Sequence, residues 1–393
     1  MATQPMFFSP LVDTADHHRE LRESVGRLVG KFGRKYYQDC VKRGVEPEAL
    51  WQALGEAGFL GVHIPEEHGG SGGGIAEYNV VVEEAAAQGC PLLQLVINSI
   101  TAPIIAAHGS EAMKAEWLPG IAAGTKKICF AITEPDAGSN THKVKTSVTG
   151  DGDGFVLNGS KYWTSGINVA DAVMIVARDA DIETGDGRSA LSLFLVPTDA
   201  PGLSYQPIDA AVMTPEKQFV TFYDNIHLDA RALIGKRGAG LRQVFVGLNP
   251  ERISAAAINN GIARFALAQG AAYARDRSVW GIPIAQHQGV AHPLAEAYIH
   301  VQAARLLNAR AAQLFDLGED AAETANMAKF MAADASLKAL DQAIQVHGGN
   351  GLSYEYGLAD LWFIARLHKT APVSREMVLN HVAQHGMGLP KSY

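Results

Sequence analysis

The feature that most constrains this chain is that its residue pattern changes twice along its length. Up to about Thr125, apolar residues recur three and four positions apart, which predicts helices. From Lys126, short runs such as DAVMIVAR and SLFLVPT are rich in β-branched residues and predict strands. After about Gly235, Ala-rich stretches predict closely packed helices. We therefore expect a multidomain α+β fold, with a helical domain at 1–125, a β-barrel or sheet domain at 126–237 and a helical bundle at 238–393.

Composition excludes several classes of protein. Apolar residues make up 47% of the 393, which is enough to fill large cores. A net charge of −8 gives no broad attraction to nucleic acid, so we expect no such partner. The three cysteines are odd in number and widely spaced, as is typical of reduced thiols. Because we find neither a signal peptide nor an apolar stretch of about 18 residues, we expect a cytoplasmic protein that does not bind a membrane.

Four short segments of this chain combine glycine, hydroxyl, aromatic and basic residues in distinctive patterns. FAITEPDAGSN at 130–140 follows a predicted strand with hydroxyls and Gly138, although alone it equally predicts an Asx turn. KYWTSG at 161–166 places a Trp on a strand, which alone predicts core packing. YARDRSVWGIPIAQHQ at 273–288 offers guanidinium groups that match phosphate oxygens. QVHGGNG at 345–351 has glycines after a helix, which alone are typical of a C-cap.

Together these segments resemble the acyl-CoA dehydrogenases, flavoproteins that desaturate acyl-CoA thioesters at the α and β carbons. The resemblance covers nearly the whole chain and implies the fold of that family: an N-terminal helical domain, a middle β domain and a C-terminal four-helix bundle. It implies FAD as cofactor, an acyl-CoA substrate and an electron-transferring flavoprotein as acceptor. It also implies a homotetramer, or at least a homodimer, because the FAD site is shared between subunits. The 14 histidines show no metal-ligand spacing, so no metal is expected.

The first two segments are similar to the family segments that contact the flavin ring. FAITEPDAGSN resembles the form TEPxAGSD, with Asn140 in place of the usual Asp. Thr133 would donate to the ring, and Ser139 would contact the CoA portion. KYWTSG resembles a divergent WIT motif, in which Trp163 would pack on the flavin and Ser165 would lie near its N5. The resemblance thus implies cofactor contacts from Phe130, Ile132, Thr133, Ser139, Trp163, Thr164 and Ser165.

The other two segments are similar to the family segments that hold the rest of FAD across a subunit boundary. Arg277 would pair with the pyrophosphate, because its planar fork of N–H donors matches phosphate oxygens. Trp280 would pack near the adenine side, and Gln288 would hydrogen-bond the cofactor. From the glycine-rich segment, backbone would approach the same pyrophosphate at Gln345, Gly348 and Gly349.

The catalytic loop is where the chain departs from most of the family. An ungapped match places Pro372 where the loop motif (Y/F)EGTSEIQ has its catalytic Glu. Proline also lacks the N–H that, in the family, holds the thioester oxygen at this position. Val373 could donate instead, or the carbonyl could be held differently. Ser374 and Glu376 fall on later motif positions near the cofactor, and Glu376 is an alternative base.

A second set of members, including the isovaleryl-CoA and long-chain enzymes, carries its base on an earlier helix in a segment of the form LxxER. GLNPERIS at 247–254 resembles that segment, so Glu251 would be the base. Arg252 and Asn249 would contact the thioester end or the carrier. Read without the resemblance, Glu251 is an ordinary helix N-terminal acid that follows Pro250.

The resemblance therefore implies dehydrogenation of a long-chain or branched-chain acyl-CoA to the trans-2-enoyl-CoA. Glu251 would abstract the α-proton, and flavin N5 would take the β-hydride. The proline in the loop leaves three alternatives open: an acyl-CoA oxidase, a flavin monooxygenase, or a catalytically decayed acyl-CoA-binding homologue. HGGSGGG at 68–74 lacks the context of a dinucleotide fingerprint and predicts a flexible loop.

Overall fold

The computed structural model describes residue 12, residues 15–184 and residues 189–391. Over these residues helices come first, strands follow and helices return, which confirms the predicted α+β class. The predicted domain limits fall in connecting segments, after the sixth helix and between the eighth strand and the seventh helix. As limits of independent domains they stay predictions.

Six helices form the N-terminal layer. Gly44 ends the second in the left-handed conformation (φ 65°), and Ser110 begins the sixth by accepting the Met113 N–H at 3.2 Å. The helices are α1 (Asp16–Gly30), α2 (Gly33–Arg43), α3 (Glu48–Glu56), α4 (Ile75–Ala87), α5 (Leu93–His108) and α6 (Glu111–Ala123).

One mixed sheet of eight strands follows, in the order β6-β7-β3-β2-β4-β5-β8, with β1 parallel to β4. The strands are β1 (Ile128–Ala131), β2 (Ser147–Asp151), β3 (Gly154–Ser165), β4 (Ala172–Glu183), β5 (Ser189–Pro197), β6 (Leu203–Pro207), β7 (Gln218–Leu228) and β8 (Leu233–Ile234). Successive residues at the start of β4 are buried on opposite faces: Met174 packs with residues of α5 and α6, and Val173 with the inner face of the sheet. The sheet is therefore covered on both faces in this region.

The C-terminal domain contains three long helices and two short ones, joined in part by a small hairpin. They are α7 (Gly240–Asp276), β9 (Ser278–Val279), β10 (Ile282–Pro283), α8 (Gln288–Asp316), α9 (Ala322–His347), α10 (Trp362–Leu367) and α11 (Arg375–His381). Buried alanines on all three long helices form one core and permit the close packing that the sequence predicts. Within the described ranges, no helix combines the length and hydropathy that crossing a membrane requires.

Helix α7 runs through the centre of the molecule and joins its layers. A Cβ at Gly247 would lie 2.5 Å from the Ile100 carbonyl oxygen of α5, and one at Gly261 would lie 2.2 Å from the Glu83 carbonyl oxygen of α4. Both glycines are therefore needed for close helix packing. This packing fixes the position of Glu251, which lies on α7 between them.

Candidate functional site

Two of the predicted cofactor segments lie side by side at the ends of β1 and β3. The Tyr162 N–H donates to the Thr133 carbonyl at 2.8 Å. Lys161 Nζ donates to the Ile132 carbonyl at 3.0 Å and to the Glu134 carboxylate at 2.9 Å. Because both members of the ion pair are buried, the two segments are held in a fixed relation.

Trp163 presents its side chain at the end of β3 in an unusual backbone conformation. Its φ is 61°, a left-handed value that bulky residues rarely adopt, and 48% of its surface is exposed. Thr164 is buried, and its hydroxyl has no hydrogen-bond partner among the described residues. Ser165 Oγ donates to Gln218 Oε1 at 2.9 Å, so its lone pairs remain free to accept from a ligand. The arrangement suits an exposed aromatic platform beside an oriented hydroxyl.

Segment 130–140 has a packed part at its start and an exposed part in the loop that follows. Phe130 and Ile132 are half-buried against the core between the sheet and the helices. The Glu134 carboxylate also accepts the N–H groups of Lys145 at 2.6 Å and Thr146 at 2.9 Å, which fixes both ends of the loop. Within that loop Ser139, Asn140 and Gly138 are exposed and accessible to a ligand.

The two predicted pyrophosphate segments also meet. The Tyr273 ring stacks on His347 with a centroid distance of 4.2 Å, and Asn350 Nδ2 donates to the Tyr273 hydroxyl at 3.1 Å. Arg277 follows α7 directly, is exposed, and its side chain forms no ion pair with a described residue. Trp280 is 89% exposed at φ 52°, the second of the predicted cofactor tryptophans with a left-handed backbone. Gln288 and Gln345 are exposed as well.

The glycines of segment 345–351 leave room for a phosphate group to approach the backbone. Gly348 has φ 59° and ψ −136°, which other residues rarely adopt. Gly349 has no positive φ, and a Cβ there would meet no protein atom within 4 Å. The chain's own packing therefore does not require glycine at 349, whereas close approach of a cofactor would. With the free guanidinium of Arg277, this donor set fits the pyrophosphate of a flavin dinucleotide.

Glu251 lies on α7, where protein surrounds it without closing it off. It retains partial exposure and accepts no hydrogen bond from the residues that the structure describes. Burial raises the pKa of its carboxyl to about 7, and the charges of Arg252 and Lys329 only partly oppose this effect. Arg252 Nη1 donates to Asn249 Oδ1 at 2.7 Å, and burial lowers the pKa of the guanidinium. Glu251 therefore has the properties expected of a proton acceptor near neutral pH.

The loop between α10 and α11 contains Pro372 and begins the last helix. Ser374 Oγ accepts the Met377 N–H at 3.2 Å and caps α11, and Glu376, in its first turn, is exposed. Lys329 of α9 donates from its ammonium group to the Val373 carbonyl. Of the two carboxyls considered as bases, only Glu251 is both desolvated and on a long, well-packed helix.

Sequence reasoning missed the side chains that hold these segments in place. Glu134 and Lys161 lie inside the recognised motifs, but only the fold brings them together. Gln218 lies on β7, next to β3, and nothing local indicated its contact with Ser165. Lys329 carried a usable signal, because it is a charged residue on the Ala-rich, core-facing side of a predicted helix.

Comparison with family models covers nearly all of the described chain. The acyl-CoA dehydrogenase N-terminal domain model matches residues 15–125, the middle domain model residues 129–222 and the C-terminal domain model residues 238–387. The three matches occur in the order that the sequence predicts.

Individual proteins give the same result. The chain is 49% identical to acyl-CoA dehydrogenase FadE12 of Mycobacterium tuberculosis, over 96% of this chain and 98% of that protein. It is 28% identical to the mitochondrial long-chain specific acyl-CoA dehydrogenase of Sus scrofa, over 94% of this chain and 86% of that one. A solved glutaryl-CoA dehydrogenase of Mycobacterium smegmatis in complex with FADH2 superimposes with a TM-score of 0.88 at 25% identity, covering 96% of each chain.

Proposed function

The chain belongs to the acyl-CoA dehydrogenase family, and we propose that it converts a long-chain or branched-chain acyl-CoA to the trans-2-enoyl-CoA with Glu251 as catalytic base. It is an acyl-CoA dehydrogenase with FAD as cofactor. One observation carries the assignment of the base. The carboxyl of Glu251 is partly exposed on a central helix, and burial raises its pKa to about 7. The catalytic loop, in contrast, has Pro372 where most members of the family have Glu.

The chemistry requires a base that is stronger than an ordinary carboxylate. The proton on the α carbon of a thioester is weakly acidic, so a Glu with a raised pKa has more driving force to remove it. Glu251 takes this proton on a carboxylate oxygen. Thr133, Trp163 and Ser165 would hold the flavin ring of FAD, which would supply the acceptor for the hydride that leaves the β carbon. The acyl group thus loses one proton and one hydride and gains one carbon–carbon double bond.

The proposed substrate class rests on the location of the base. Glu251 and Arg252 resemble the helix-borne base segment of the isovaleryl-CoA and long-chain enzymes. Long-chain specific enzymes of Sus scrofa and Rattus norvegicus are also among the relatives, each 28% identical over 375 residues.

The proposed partners are an electron-transferring flavoprotein and further copies of this chain. Arg277 and Trp280 are exposed on one chain, which suits a site that a second subunit completes. Large apolar side chains exposed on the C-terminal domain also favour a homotetramer, or at least a homodimer. Among the described residues, the most exposed of these are Trp280, Ile299, Leu317, Leu352 and Met387. Three free, buried cysteines are compatible with the reducing cytoplasm, where we place the protein.

The experiment that tests the base is anaerobic mixing of the FAD-loaded protein with a series of acyl-CoA thioesters from isovaleryl-CoA to palmitoyl-CoA. Loss of the oxidised flavin absorbance reports the reaction. We expect Glu251→Gln to retain FAD and bind acyl-CoA while reducing the flavin about 10³-fold more slowly. The comparison variant is Glu376→Gln, which removes the alternative base and should reduce flavin much faster than Glu251→Gln.

Two results would overturn the proposal. If Glu376→Gln is the slow variant and Glu251→Gln is normal, the base belongs to the loop. If no acyl-CoA in the series reduces the wild-type flavin, Pro372 has removed thioester activation. Rapid reoxidation of the reduced flavin by air would instead indicate an oxidase, which passes its electrons to oxygen and not to a flavoprotein partner.

A further inference from the structure

We propose that Lys329 is a positioning residue for this reaction: the Val373 carbonyl of the loop after α10 holds its ammonium group, and the positive charge of that group stabilises the carboxylate form of Glu251. The inference rests on the proposed function, because it assumes that Glu251 is the base. No role for Lys329 followed from the sequence motifs.

Lys329 is a buried ammonium group on an alanine-rich helix. It lies in the first half of α9 between Ala328 and Ala332, which are both fully buried, and only 1% of its own surface is exposed. A buried ammonium group is costly unless partners compensate it. Burial accordingly lowers the pKa of Lys329 to about 8. Such a residue on an alanine-rich helix requires a specific reason for its charge.

The hydrogen bond of Lys329 reaches the catalytic loop. Its Nζ donates to the carbonyl oxygen of Val373, the residue directly after Pro372. No described group accepts a hydrogen bond from the Val373 N–H. Holding the carbonyl therefore fixes the one residue that joins the proline to the N-cap of α11. Loss of the ammonium would remove this bond between α9 and the segment.

Charged groups near Lys329 lie on several neighbouring elements. The carboxylate on α9, Asp334, forms ion pairs with Lys369 at 2.7 Å and with Arg375, and the carboxylate on α11, Glu376, is exposed to solvent. The groups that act on Lys329 or respond to it are Glu251 and Arg252 on α7, Asp334 on α9, His368 after α10 and Glu376 on α11.

Among these groups Glu251 is the desolvated carboxyl that neither accepts a hydrogen bond from nor forms an ion pair with a described residue; Glu376 also lacks such a partner but is exposed. The charge of Lys329 acts on Glu251 from α9, which packs directly against α7. His368 does not compete, because burial and the charge of Lys329 lower its pKa to about 3 and keep its ring neutral. Lys329 and Arg252 are therefore the cations that oppose the desolvation of Glu251.

The test compares Lys329→Met, Lys329→Arg and the control Lys338→Met in FAD-loaded protein. Lys338 lies on the same helix but pairs with Glu296 at the surface. Difference infrared spectroscopy follows the protonated carboxyl band that Glu251→Gln removes, as a function of pH and without substrate. We expect Lys329→Met to raise the midpoint of this titration by about one pH unit or more. Lys329→Arg and Lys338→Met should stay within about half a unit of wild type.

Flavin reduction by palmitoyl-CoA and isovaleryl-CoA provides the second readout. A midpoint one unit higher leaves less carboxylate at pH 7, so Lys329→Met should be about five-fold slower there and recover at higher pH. A rate that falls equally at all pH values, with an unchanged infrared midpoint, would overturn the proposal and leave Lys329 as a packing residue. If Lys329→Met does not fold, an unshifted midpoint in Lys329→Gln overturns it equally.

These outcomes are separable from failure of the proposed function. If Glu251→Gln reduces flavin normally, Glu251 is not the base and both proposals fail. If Glu251→Gln is inactive but the infrared midpoint is the same with and without the Lys329 charge, only the inference about Lys329 fails.

Discussion

Lys161 donates a 2.9 Å hydrogen bond to Glu134, and this buried ion pair ties the end of β3 to the segment that follows β1. The same carboxylate accepts two backbone N–H groups, and the same ammonium donates to the Ile132 carbonyl. Thr133 lies between Ile132 and Glu134, and Trp163 lies two residues after Lys161. The pair therefore sets the relative position of the two side chains that we assign to the flavin ring.

Replacing Lys161 with Met should destabilise the protein and weaken FAD binding together. The change leaves the Glu134 carboxylate buried without its cation, a loss that typically costs about 3–5 kcal/mol. Urea unfolding measures the stability, and fluorescence titration of apoprotein measures the FAD affinity. The matched control is Lys145→Met, which removes the exposed partner of Asp136 and should leave the stability nearly unchanged. Equal effects of the two substitutions would contradict the role assigned to the buried pair.

The rate of flavin reduction should rise with pH around neutrality. Burial raises the pKa of Glu251 to about 7, so the carboxylate that accepts a proton is the minor form below that pH and the major form above it. Stopped-flow reduction from about pH 5.5 to about pH 8.5, a range centred on the raised pKa, should give a midpoint near 7. A rate that is constant above about pH 5 would indicate an unperturbed carboxyl and would contradict the assignment.

Much of the fold could be predicted from the sequence, because its helices and strands differ strongly in residue pattern. The three Ala-rich stretches correspond to α7, α8 and α9, and the strongest apolar runs to β1, β4 and β5. The short strands β2 and β6 were not identified. Their residues are largely exposed, so the alternation that marks a half-buried strand is weak. The helical pattern also continues through Phe32, so it does not indicate that two helices meet there: α1 ends at Gly30 and α2 begins at Gly33.

The glycine-rich segment 68–74 shows a different limit of sequence reasoning. Its composition predicts a flexible loop, yet backbone hydrogen bonds hold it: the Gly72 N–H donates to the Ile64 carbonyl at 3.0 Å, and the Gly73 N–H to the Val62 carbonyl at 2.8 Å. A Cβ at Gly70 would lie 2.0 Å from the Ile64 carbonyl oxygen. Glycine there serves close packing rather than freedom, and composition alone does not distinguish the two. For Lys329 the sequence shows a charge on an Ala-rich helix, but it does not show which groups surround that charge, because they come from distant parts of the chain.

Acid should destabilise the protein through the carboxylates that the core arginines surround. Glu83 accepts from Arg264 at 2.9 Å and from Arg305 at 2.8 Å, with Arg22 at 3.3 Å. Despite burial, these charges lower its pKa to about 2. A lowered carboxyl pKa contributes stability that is fully present above the unfolded value of about 4.3 and is lost as pH falls toward 2.

Substituting Glu83 with Gln should therefore cost at least about 3 kcal/mol at pH 7 and flatten the acid limb of stability against pH. Denaturant unfolding at several pH values measures both effects. Glu23→Gln is the control, because Glu23 forms only an exposed pair with Arg27 on α1. An acid limb that is equally steep in Glu83→Gln would assign the acid sensitivity to other carboxyls.

Gly349→Ala separates a role in cofactor binding from a role in folding. The residue has no positive φ and a Cβ would meet no protein atom, so the unfolding free energy should change by less than about 0.5 kcal/mol. If the FAD pyrophosphate approaches this backbone, the added methyl group occupies the space it needs, and we expect FAD affinity to fall at least about ten-fold. Gly30→Ala is the control, because a Cβ there meets Gln88 at an ordinary 3.4 Å. Unchanged FAD affinity in Gly349→Ala would place the pyrophosphate elsewhere.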